Sequence, residues 1–104
     1  MIHVKYNPNC PIAFNDGAIL KIADKIVQEH GSTDEFHYFE VGQELFMSAI
    51  RSAMCQMNVD HQNLVVDIVL DEHNLQRITL NDKYRFSDYT NLPDLIGDIL
   101  MPLL

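Results

Sequence analysis

The chain has 104 residues, a length that suits one domain. Hydrophobic residues make up 47%, too many for a disordered chain, and no apolar run reaches the roughly 18 residues of a membrane span. Fifteen acidic against seven basic residues give a formal charge of −8, which disfavours nucleic-acid backbones and anionic membrane surfaces and leaves room for a basic protein partner.

Ile2, Val4 and Tyr6 alternate with His3 and Lys5, as in a half-buried first strand. The start lacks the basic cluster and long apolar segment of a signal peptide, so the expected location is a cytosol, the protein's own or a host's. Two cysteines, Cys10 and Cys55, make no disulfide framework, and free thiols are the expectation there. Asn7-Pro8-Asn9-Cys10-Pro11 breaks the strand as a loop.

Asn15 or Asp16 can cap a first helix over Asp16–His30, with Ile19, Ile22, Ala23, Ile26 and Val27 at helical spacing and Gly31 as its stop. Phe36 to Val41 predicts a second strand, with Phe36, Tyr38 and Glu40 on one face and His37, Phe39 and Val41 on the other. Gln43–Met57 predicts a second helix whose apolar members span roughly 200° of arc, wider than one packing surface needs. Its polar side reads Glu44, Ser48, Arg51, Ser52 and Cys55. Met47 and Met54 lie near one margin of the arc. Two arrangements follow: a neighbouring helix covers them, or they form an exposed apolar strip beside Arg51 for a partner or a second copy.

Leu64 to Phe86 is rich in β-branched and aromatic residues and is punctuated at Asp71-Glu72-His73-Asn74 and Asn81-Asp82-Lys83, the signature of an antiparallel meander. Leu92 to Leu103 carries a third amphipathic stripe, capped by Thr90 or Asn91 with Pro93 in its first turn. The order is β-α-β-α-β-β-(β)-α. It predicts an α/β (α+β) two-layer sandwich: a mixed sheet with helices on one face and right-handed crossovers between its parallel strands. Ile2, Val4, Tyr6, Leu64, Val66, Ile68 and Leu70 would form the buried face; His3, Lys5, Asp67, Asp71, Arg77 and Thr79 would form the polar one.

Val4 to Cys10, with the cysteine after the first strand, before a helix and followed by Pro11, locally resembles the start of arsenate-reductase-type thioredoxin-like proteins. The resemblance implies a nucleophilic Cys10 thiolate stabilised by a helix N-terminus, in a redox or transfer enzyme. The chain has no Cys-x-x-Cys, and its helical pattern starts only near Asp16. The bland alternative is a loop cysteine without a role.

Five histidines show no His-x-x-x-His spacing, so neither a metal nor another cofactor is expected. Asp71, Glu72 and His73 read as turn chemistry. Asp67 and Asp71 stand roughly 13 Å apart at strand rise, too far to share a proton. Arg77 on the next strand suits a cross-strand ion pair with one of them. With no complete catalytic set, the expected function is a small non-enzymatic protein-binding module, an accessory or viral inhibitor of another protein. Its contact residues would come from Met47, Arg51 and Met54, or from Lys5, Asp67 and Arg77 on the polar sheet face.

Overall fold

The computed structural model describes residues 1–86; the expected third helix lies outside them. Four strands, β1 (Ile2–Tyr6), β2 (His37–Val41), β3 (Leu64–Val69) and β4 (Leu75–Thr79), form one sheet in the order β2-β1-β3-β4. β1 runs parallel to both β2 and β3, and β4 is antiparallel to β3. This is the mixed sheet of the two-layer α+β sandwich. The expected third meander strand is reduced to one bridge between Leu80 and Phe86.

Helix α1 (Asp16–His30) starts where Asn15 accepts a hydrogen bond from the Ala18 amide at 2.8 Å. Gly31 ends it in right-handed helical geometry, so its glycine is not required by a left-handed turn. Space is the reason: a Cβ there would lie 2.6 Å from the Val27 carbonyl oxygen and 3.2 Å from Val59. Helix α2 (Glu44–Gln56) is buried almost all round, because α1 packs along it and Phe86 closes another side. Ile2, Val4, Tyr6, Leu64, Val66, Ile68 and Ile78 meet both helices in one core. Leu70 was expected in that row, but β3 ends at Val69 and Leu70 is exposed.

The crossovers depart from expectation. β1 to β2 steps one way along the sheet, β2 to β3 steps back past β1, and both helices lie on the same face. Two such connections have opposite hands, so one is left-handed, against the strong preference for right-handed crossovers. The other face of the sheet gives the reason. A helix laid there would cover the ion pair of Asp67 and Arg77, whereas the alternation leaves a single apolar face for both helices.

Candidate functional site

An apolar groove lies beside β2. Parallel pairing fixes the phase of this strand: His37 donates its amide to Met1 O at 2.9 Å, and Val41 O accepts from Asn7 N at 2.8 Å. His37, Phe39 and Val41 therefore turn their backbone groups to β1, and Tyr38 and Glu40 turn theirs outward. β2 is an edge strand, and among the described residues no strand pairs with its outer side.

On the helix side of that edge is a groove of about 420 Å³. Phe39 and Val41 form its floor, Ile22 of α1 one wall, and Ile12 and Phe14 its rim. Ile12 and Phe14 keep 57% and 44% of their surface in solvent, so the rim is exposed apolar surface rather than core. Gln43 holds the rim in place. Its amide donates to Phe14 O at 2.6 Å and its carbonyl accepts from Phe14 N at 2.9 Å, which leaves it no side-chain role in capping α2.

The sheet face opposite the helices brings Lys5, Asp67 and Arg77 together by register: Lys5 beside Asp67, and Asp67 opposite Arg77. Arg77 donates Nε and Nη2 to the two Asp67 oxygens at 2.9 and 3.1 Å, the expected cross-strand pair. His3 is the third member of this cluster, its Nε2 lying 2.5 Å from Asp67 Oδ2. The hydrogen bonds from Arg77 hold the Asp67 carboxyl below the usual range, against the opposing effect of burial. Phe36 and Tyr38 stand edge-on to the His3 ring at 5.1 and 5.2 Å. Asp67 is spent within this network, which reads as a structural clamp across β1, β3 and β4. The triad was missed at sequence level because His3 and Asp67 meet only once β1 and β3 are known to be neighbours.

Met47 and Met54 do not form an exposed strip: both have zero exposure. Arg51, expected beside that strip on the polar side, is 7% exposed with its guanidinium 5.8 Å from the Phe86 ring centre. The cover that the wide apolar arc required comes from the chain itself, so these three residues offer no docking surface.

Cys10 is half-buried in its loop, its amide bonded to Asn7 O at 2.9 Å. α1 begins at Asp16, and its cap is Asn15, so the thiol is not at the helix N-terminus that the local resemblance implies. The loop instead packs on Gly42, where a Cβ would meet Asn7 O and Cys10 O at 3.1 Å. A wider polar cleft of about 630 Å³ separates this loop from Asp71–Leu75. There Asp71 serves its own turn, accepting from the His73 amide at 2.8 Å and from Asn74 Nδ2 at 2.7 Å. These bonds, the Asn74 side chain first, lower the Asp71 pKa. Among the described residues no three His, Cys, Asp or Glu side chains converge on a metal position, and no helix is long and apolar enough to cross a membrane.

No protein family matches this chain, and neither the curated proteins nor the solved structures include one detectably similar to it.

Proposed function

We propose that this chain is a small, non-enzymatic protein-binding module that regulates or blocks the protein it binds. The observation that supports this reading is the apolar groove rimmed by Ile12 and Phe14 beside the open edge of β2. Apolar surface of this kind, held by the Gln43 staple rather than left to a mobile loop, suits a macromolecular contact. The acidic charge of −8 favours a basic partner by speeding encounter. Two free cysteines fit a reducing compartment, and we place the protein in a cytosol, its own or a host's.

The test compares three immobilised proteins in cytosol from producing cells: the natural chain, Phe14→Glu in the groove rim, and Lys5→Glu on the sheet face opposite the helices. A partner is expected on the natural chain and on Lys5→Glu, and lost on Phe14→Glu. Loss confined to Lys5→Glu would move the interface to the sheet face around Asp67 and Arg77. Gel filtration of the same proteins tests the homodimer reading.

A further inference from the structure

We infer that the outer edge of β2 takes an extended, basic segment of the partner as an added strand. This rests on the reading of the chain as a protein-binding module and names the chemistry of what it binds.

Three observations meet at this edge. Tyr38 and Glu40 each turn one N–H and one C=O away from β1, a row of donors and acceptors with strand spacing. Only an extended backbone satisfies such a row in full. The groove lies on the helix side of the same strand, over Phe39 and Val41. An incoming residue opposite Phe39 would send its side chain under Ile22 and the rim of Ile12 and Phe14, an apolar slot for an apolar side chain. Its neighbours in sequence would point to the other side of the sheet, because side chains alternate along a strand. There they meet Tyr38, which is 53% exposed, and the exposed Glu40.

Glu40 sets the charge. Its Oε1 accepts from Asn7 Nδ2, just past the end of β1, at 2.9 Å, and Lys5 is its register partner on β1. An incoming Lys or Arg opposite Glu40 would form a cross-strand ion pair, whereas an acidic residue would be repelled. The preferred segment therefore alternates: apolar toward the groove, basic toward Glu40, apolar or aromatic toward Tyr38. A second copy of this chain fits less well, since two molecules carrying −8 each repel one another on approach.

The experiment selects short random peptides from a display library on the immobilised full chain. The tightest peptides are then measured by fluorescence anisotropy. The expected winners alternate apolar residues with at least one intervening Lys or Arg. N-methylation of one alternating set of peptide nitrogens should weaken binding by about tenfold or more, while methylation of the other set does little, because only alternate N–H groups of an added strand face its neighbour. Tyr38→Pro removes an outward N–H and leaves the β1 ladder whole, so it should weaken binding similarly. Glu40→Lys should reverse the preference from basic to acidic peptides.

Failure to select any peptide, binding indifferent to both methylation patterns, or a Tyr38→Pro protein with unchanged melting and affinity would each overturn the proposal. If Tyr38→Pro does not fold, the methylated peptides decide alone. A dimer seen by sedimentation and abolished by Tyr38→Pro would put a second copy on the edge and overturn the basic-peptide assignment. Peptides that ignore methylation but are lost on Phe14→Glu would end strand addition and leave the binding-module reading intact; indifference to Phe14→Glu as well would end both.

Discussion

Asp67 and Tyr6 make the two ends of the pH range informative. Arg77, with His3 behind it, lowers the Asp67 pKa, so the unfolded chain binds this proton more readily than the folded one. The stability it contributes is present above the ordinary aspartate value and is lost as pH falls below about 4 toward the depressed one. Asp67→Asn should melt at a lower temperature than the natural chain at pH 7, and thermal scans should show the gap closing toward pH 2. Tyr6 behaves in the opposite sense. Burial first, then the charge of Glu44 and a 3.3 Å hydrogen bond to it, push the phenol up to about 12. Its folded pKa is raised, so its contribution is whole below about pH 10 and disappears as pH climbs to about 12. Tyr6→Phe should therefore flatten the alkaline limb of a denaturation curve monitored by circular dichroism.

Helix α2 is the element that sequence and structure describe most differently. Its ends were readable to within a residue, as was all of α1, because Asn15, Gly31 and the helical period are local signals. The fate of its margins was not. A helical wheel gives the width of an apolar arc but not the identity of what lies against it, and the covering Phe86 and α1 are tertiary facts. With Met47 and Met54 fully buried, Met47→Glu with Met54→Glu should abolish the cooperative melt, and Met47→Ala alone should cost about 2–5 kcal/mol in urea denaturation. Phe14→Glu, on exposed surface, should stay within about 0.5 kcal/mol of the natural chain. The groove escaped the sequence for a similar reason: Phe39 and Val41 showed which face they share, but nothing local makes β2 an edge strand.

At the scale of the whole molecule, alternation in β1 and β3 identified the single apolar face, and with it the two-layer arrangement. The hand of the crossovers was misjudged because it follows from strand order and from the polar face around Asp67, neither of which is a local property. The same face predicts where charge is tolerated. Ile68 is 4% exposed on the helix side, so Ile68→Asp should cost on the order of 4 kcal/mol or leave the chain unfolded at room temperature.

The central place of β1 also bears on how the chain is made. It leaves the ribosome before both of its neighbours, β2 and β3. Until Leu64–Val69 emerges, Ile2, Val4 and Tyr6 have no finished sheet to join, and pairing Ile2 with Leu64 closes a loop spanning most of the described chain. Such distant pairing slows folding, because loop closure precedes the contacts that reward it. A nascent chain halted after β2 should engage chaperones or self-associate, and release of the full length should end that exposure.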